Sequence, residues 1–189
     1  MTVDEIFEQL ASHLIQGMMV HEQLANYYDF LGLKGYKRCH EYHYMQESCE
    51  YRGICRYYIN HFNRLIKEPE FKNPDVIPES WYSHTRDEVD MTTKRNAVQN
   101  GLEKWRSWET DTKKLYQEMY KELLDLGEIA AADKVNELVC AVDCELKKVE
   151  RYVLNKEAIN YDMSSIIEEQ NHKHKKYKKK CCDIGVHIC

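Results

Sequence analysis

The sequence predicts an all-α protein: a four-helix bundle of two antiparallel hairpins joined by a long crossover, with a short fifth helix at the C-terminal end. Four long segments repeat apolar residues at the spacing of a helix face. Glycine and proline are rare, at seven and three of 189 residues, and all three prolines fall between residues 67 and 92. We expect residues 1–160 to form the bundle and residues 161–189 to form a basic tail that contains Cys and His.

The first two predicted helices form a hairpin. Thr2 and Glu5 have the spacing of a capping box, so the first helix should begin near residue 3 and end at Gly32. The second helix should run over residues 36–66. Imidazoles and carboxylates on a face that points into a bundle are costly unless they bind something. One face of the second helix carries four such residues: His40, His43, Glu47 and Glu50.

A proline-containing connection follows the first hairpin. Residues 67–92 keep no long apolar period, which is typical of a crossover that runs the length of a bundle. Thr85 and Glu88 have the spacing of a second capping box, so the crossover could include a short helix.

The second predicted hairpin consists of a helix that begins within residues 86–94 and ends near residue 126, and a helix over residues 128–155. Each has an apolar inward face that a single glutamate interrupts near its middle. Glu109 lies about 18 residues before the turn at Gly127, and Glu145 lies about 18 residues after it. Both are therefore roughly 27 Å from the turn, and they should be neighbours.

The geometry of both hairpins predicts that these polar residues converge at mid-height. The level of Glu47 on the first helix lies near Met19, within one turn of His21. His40 is closer to the end of its helix and should lie at the surface or in a second layer. Carboxylate oxygens and imidazole nitrogens inside a bundle suit iron, with manganese or zinc as alternatives. The predicted metal ligands are His21, His43, Glu47, Glu50, Glu109 and Glu145.

The charge and the N-terminal sequence argue against several protein classes. Thirty-two acidic and 27 basic residues give a net charge of −5, so the whole chain lacks the basic signature of a nucleic-acid-binding protein. No apolar run is long enough for a transmembrane helix, and no membrane partner is expected. The segment MTVDEIFEQL does not resemble a signal peptide. These features predict a cytoplasmic protein whose cysteines are free thiols.

Hairpin, crossover and hairpin, with Glu47 and Glu50 in the second helix, form a pattern that resembles the ferritin-like superfamily over about residues 5–155. The segments WRSWETDTKKLYQEMYKELLDLGEIAAAD and VNELVCAVDCELKKVERY, which carry Glu109 and Glu145, add to the likeness. The segment LKGYKRCHEYHY is similar to the start of the second helix in Dps-type mini-ferritins. The resemblance implies a di-iron or other di-metal centre, iron oxidation by oxygen or peroxide, and a homo-oligomer that is often a hollow iron-storage cage.

The ligand pattern of the superfamily is incomplete in this sequence. Its second helix usually carries Glu-x-x-His, and here the motif ends at Glu50. In the fourth helix Glu145 is followed at the same spacing by Lys148, and His21 stands where the first helix normally supplies a carboxylate. A second hypothesis is therefore a helical-bundle interaction protein that has kept the fold but not the metal. Its buried acids would pair with Lys148, with Arg52 or with tyrosines.

The C-terminal segment NHKHKKYKKKCCDIGVHIC has three interpretations. The first is a solvated or disordered basic tail. The second is contact with DNA phosphates, as the lysine tails of Dps-type proteins imply. The third, carried by a weaker spacing, is a metal site made of Cys181, Cys182, His187 and Cys189. Ser165 and Glu168 could cap a short helix that leads into this segment.

Overall fold

Five α-helices build the part of the chain that the structure, a computed structural model, describes: residues 1–67 and 70–186, with side chains through residue 177. They are α1 (Val3–Phe30), α2 (Lys34–Phe62), α3 (Met91–Asp125), α4 (Ile129–Ala158) and α5 (Met163–Val186). Helix α1 pairs with α2, α3 pairs with α4, and α5 lies along α2. The predicted all-α fold of two hairpins and a crossover is confirmed. Within these residues no helix has the length and apolar character needed to cross a membrane.

The helix ends follow local sequence signals. The backbone N–H of Thr2 donates to the Glu5 carboxylate at 2.8 Å, so the predicted capping box opens α1. Gly32 and Gly127 adopt φ angles of 74° and 78° at the two hairpin turns, where a side chain would be strained. Helix α2 ends at Phe62, four residues earlier than predicted, because Asn63 takes a left-handed φ of 55°.

The crossover contains two short 3-10 turns, Glu79–Ser83 and Arg86–Glu88. The Thr85 backbone N–H donates to the Glu88 carboxylate at 2.7 Å, as the second capping box predicts. The crossover is tied to α1 by the Gln23 side chain, which donates to the Pro74 carbonyl at 2.8 Å. These contacts hold the connection along the outside of the bundle.

Two apolar cores occupy the two halves of the bundle. One includes Phe7 and Leu10 of α1 with Met119 of α3, and the other includes Tyr28 of α1 with Trp105 of α3. Along α2, α3 and α4 the predicted ligands fall between the segments that belong to the two cores, and His21 of α1 lies at the edge of one core, next to Val20. The polar residues therefore form a layer at mid-height, bounded above and below by apolar packing.

Helix α5 is longer and more buried than the sequence predicts. It begins after Asp162, whose carboxylate accepts the Ser165 backbone N–H at 2.8 Å, so the predicted cap at Ser165 is wrong by three residues. Ile166 and Tyr177 are fully buried. Lys173 is also buried, with its ammonium 3.4 Å from the centre of the Tyr152 ring. A purely solvated tail is therefore wrong for the described part of this segment.

The C-terminal cysteine-histidine site falls outside the described side chains, and DNA contact stays a prediction. Cys39, Cys55, Cys140 and Cys144 are free thiols, as predicted. Cys49 is disulfide-bonded, so the prediction of free thiols is wrong at that position. Disulfides are rare in reducing compartments, so the cytoplasmic location stays a prediction.

Gly35 lets α5 approach α2 closely, and replacing it should loosen this packing. A Cβ atom at Gly35 would lie 1.9 Å from the backbone oxygen of Gln170, which cannot rotate away. We expect Gly35→Ala to lower the free energy of unfolding by about 1–3 kcal/mol because of this overpacking.

Gly53, also within α2, provides the matched control, because a Cβ there meets nothing within 4 Å. Gly53→Ala should raise the free energy of unfolding by about 0.5–1 kcal/mol through helix propensity. Urea denaturation of both variants checks the pair. Equal effects of the two substitutions would contradict the placement of α5.

Candidate functional site

A cavity of about 190 Å³ lies in the polar layer between the two cores. All six predicted ligands line this cavity, and they come from all four helices of the bundle. Gln46, Thr112, Tyr116 and Cys144 also contribute to its wall. The sequence did not single out these four as site residues, although Thr112 and Tyr116 continue the inward face of Glu109. The predicted ligands are His21, His43, Glu47, Glu50, Glu109 and Glu145.

Glu109 is the most deeply buried carboxyl group of the site. The indole N–H of Trp105, one turn earlier on α3, donates to its Oε1 at 2.8 Å. Burial raises the pKa of Glu109 to about 8, although this hydrogen bond opposes the shift. Burial also lowers the pKa of His21 to about 3, so its contact of 3.8 Å with Glu109 joins two neutral groups near pH 7. The Trp105 contact follows from the i, i+4 spacing and could have been found from sequence.

His40 contacts the His21 ring but does not line the cavity. It is fully buried, because it stacks on the Tyr28 ring and packs against Trp105, so the predicted surface position is wrong and the second-layer alternative holds. The Nδ1 atoms of His21 and His40 lie 3.0 Å apart, so one of them must carry a proton and donate. With that proton on His21, its Nε2 keeps a lone pair for the cavity, which is the form that binds a metal.

Lys148 of α4 does not line the cavity itself, but it contacts two residues that do, Glu145 and His43. Its ammonium donates to both carboxylate oxygens of Glu145, at 2.8 and 3.1 Å. It also lies 3.3 Å from Nε2 of His43, and an ammonium group can only donate, so Nε2 accepts. Glu145 and His43 are therefore both bound to a cation supplied by the chain itself.

Glu47 and Glu50 form the α2 side of the cavity. Burial raises the pKa of Glu47 well above its usual range, and the neighbouring Glu50 carboxylate raises it further. Burial raises the pKa of Glu50 to about 7, with Glu145 adding to the shift. Gly17 of α1 makes room for this group, because a Cβ there would lie 2.9 Å from the Glu47 carboxyl carbon.

The donor atoms of the cavity are of the types that bind a divalent cation, but the side chains do not converge on a single metal position. Carboxylates and imidazoles are ligands of iron, manganese and zinc. Among the residues that the structure describes, no three His, Cys, Asp or Glu side chains are grouped so that they could hold a metal ion. Glutamate side chains at a cavity wall have rotatable bonds, so a metal would need Glu47, Glu50 and Glu109 to turn toward one another.

Comparison with known proteins identifies the fold. No protein-family model and no curated protein matches the sequence. A solved structure named "Humanized Archaeal ferritin" superposes with a TM-score of 0.75 over 90% of this chain and 94% of that chain. The fold is ferritin-like. The resemblance drawn from the helical pattern is thus confirmed at the level of the ferritin-like fold, and with 16% sequence identity the likeness extends no further.

The polar layer lies in the core of the bundle, between facing helices. In four-helix bundles of this type, metal sites are built in the core from side chains on facing helices. Glu47, Glu109 and Glu145 come from three different helices and line the same cavity here. Gly17 makes room for the Glu47 carboxyl group, and the Lys148 ammonium is hydrogen-bonded to the Glu145 carboxylate.

Proposed function

We propose that this chain is a ferritin-like metal-binding protein that takes up a divalent ion, with Fe(II) as the first candidate, in the mid-bundle cavity. The observation that carries the proposal is that oxygen and nitrogen donors from four helices line one cavity between the two apolar cores. Glu47, Glu50 and Glu109 would supply carboxylate oxygens, and His21 would supply an imidazole nitrogen. Manganese and zinc suit the same donors.

The electrostatics of the cavity favour a cation. Burial raises the pKa values of Glu50 and Glu109 to about 7 and about 8, and repulsion from the neighbouring Glu145 carboxylate adds to both shifts. A divalent ion would remove this repulsion and release the protons. The cavity of about 190 Å³ has room for an ion and several waters.

The proposal extends to an activity, the oxidation of iron. Bound Fe(II) with an open coordination position would give up an electron to oxygen or peroxide. The protein's part is to place the site between the two apolar cores and to accept or release protons at Glu50 and Glu109. Iron storage would additionally require assembly of many copies into a hollow particle.

A helical-bundle protein without metal is the second candidate. Lys148 favours it, because its ammonium already contacts both oxygens of Glu145. In that case the remaining acids stay neutral by keeping their protons, and the bundle serves as an interaction module.

Elemental analysis of protein purified without chelator, joined to aerobic Fe(II) oxidation, tests the proposal. We expect at least one iron, manganese or zinc ion per chain and Fe(II) oxidation faster than in buffer. Glu109→Gln should lower both by more than tenfold, since it removes a buried ligand. Glu118→Gln, an exposed change on the same helix, should leave both unchanged. Absence of bound metal before and after incubation with Fe(II) would favour the metal-free bundle.

Size-exclusion chromatography distinguishes iron storage from metal binding or oxidation without storage. A homo-oligomer is expected from the resemblance, and a cage-sized particle would support iron storage. A monomer or dimer that still binds metal would support oxidation or metal binding without storage.

A further inference from the structure

The side chains of the cavity fall into two groups that differ in their contact with the Lys148 ammonium. One group is formed by Glu145 and His43, and both of these side chains lie within 3.3 Å of the Lys148 ammonium. The other group is formed by Glu47, Glu50 and Glu109, and no contact between them and the Lys148 ammonium is within hydrogen-bond range in the described structure. An imidazole nitrogen that accepts a hydrogen bond from an ammonium cannot offer the same lone pair to a metal.

The charges of the cavity lead to the same division. The four glutamates of the cavity carry a charge of −4 when ionised, which would balance two divalent ions. Lys148 contributes one positive charge and is hydrogen-bonded to Glu145. The three remaining carboxylates can balance one divalent ion but not two.

We propose that Lys148 is a built-in cation that takes the place of a second metal, so that the cavity holds a single divalent ion at Glu47, Glu50 and Glu109. This inference rests on the proposed function and assigns its stoichiometry. Glu145 and His43 then serve to hold Lys148 rather than to ligate metal. The chain differs in this respect from the two-metal centre that its resemblance to the superfamily implies.

The test counts Mn(II) ions, which do not oxidise under the conditions of the assay. Metal-free full-length chain is titrated with Mn(II) by calorimetry, and the bound metal is counted by elemental analysis. We expect about one ion per chain for the wild type and about two for Lys148→Ala, since removal of the ammonium frees Glu145 and His43. Lys147→Ala, an exposed neighbour on α4, should keep about one ion.

The ion counts test the role of Lys148 separately from the proposed metal binding. Two ions in the wild type, or one ion in Lys148→Ala, would overturn the role of Lys148 and leave the proposed metal binding intact. No binding in either protein would overturn the proposed function itself. Lys148→Met keeps the length of the side chain, so it serves as the second variant if Lys148→Ala fails to fold, and about two ions are expected there also.

Discussion

Replacing Glu109 with glutamine should stabilise the metal-free protein in alkaline solution. Burial raises the pKa of Glu109 to about 8, so the folded chain holds a proton that the unfolded chain releases above about pH 4.5. The wild type therefore loses stability progressively as pH rises from about 4.5 to the folded pKa of about 8, whereas glutamine does not titrate. We expect the advantage of Glu109→Gln over the wild type to grow by roughly 4 kcal/mol between pH 5 and pH 8.5.

Guanidinium denaturation of both proteins after removal of metal measures this difference. Histidines and lysines of the chain titrate in the same range, but they are common to both proteins and cancel in the comparison. Glu118→Gln should show no such trend, because Glu118 is exposed. Saturating Mn(II) should reverse the order at pH 8.5, since only the wild type offers the ionised carboxylate. A difference that stays flat with pH would show that Glu109 is not held protonated.

Trp105→Ala should cost about 3–5 kcal/mol of unfolding free energy, because it empties the centre of the core below the cavity. Trp105 is buried, packs against His21 and His40, and donates to Glu109. Trp105→Phe keeps most of the packing but removes the donor. We expect it to cost about 1–3 kcal/mol, since the Glu109 carboxyl then loses its hydrogen bond.

Trp108 supplies the matched control on the same helix. Its indole N–H finds no hydrogen-bond partner among the described residues, although its ring stacks on His13. Trp108→Phe therefore removes a donor that was unpaired and should cost less than Trp105→Phe. Thermal and urea unfolding of the two phenylalanine variants compare them, and a larger loss for Trp108→Phe would contradict the assigned hydrogen bond.

The helices and the level of the site were predictable because both depend on constant geometry. A rise of about 1.5 Å per residue places residues equally distant from a turn side by side, and this predicted that Glu109 and Glu145 are neighbours. The apolar period fixed which face points inward. Both arguments use only spacing along the sequence, and the cavity contains all six residues that they selected.

Other features depend on contacts between segments far apart in the chain. His40 is buried because Tyr28 and Trp105 cover it, and the sequence pattern around His40 does not predict these contacts with other helices. The packing of α5 requires the close approach of Gln170 to Gly35, which periodicity does not encode. A lysine at the position of Lys148 could point to solvent or to the cavity, and the flexible side chain leaves that choice to tertiary structure.

Anomalous diffraction from crystals soaked in Mn(II) or Fe(II) tests the central claim most directly, because it locates an ion rather than inferring it. We predict one anomalous peak bounded by the carboxylates of Glu47, Glu50 and Glu109, with the Lys148 ammonium still on Glu145. A cavity without anomalous density at saturating metal would contradict the metal-binding account and leave a ferritin-like bundle whose buried acids stay protonated.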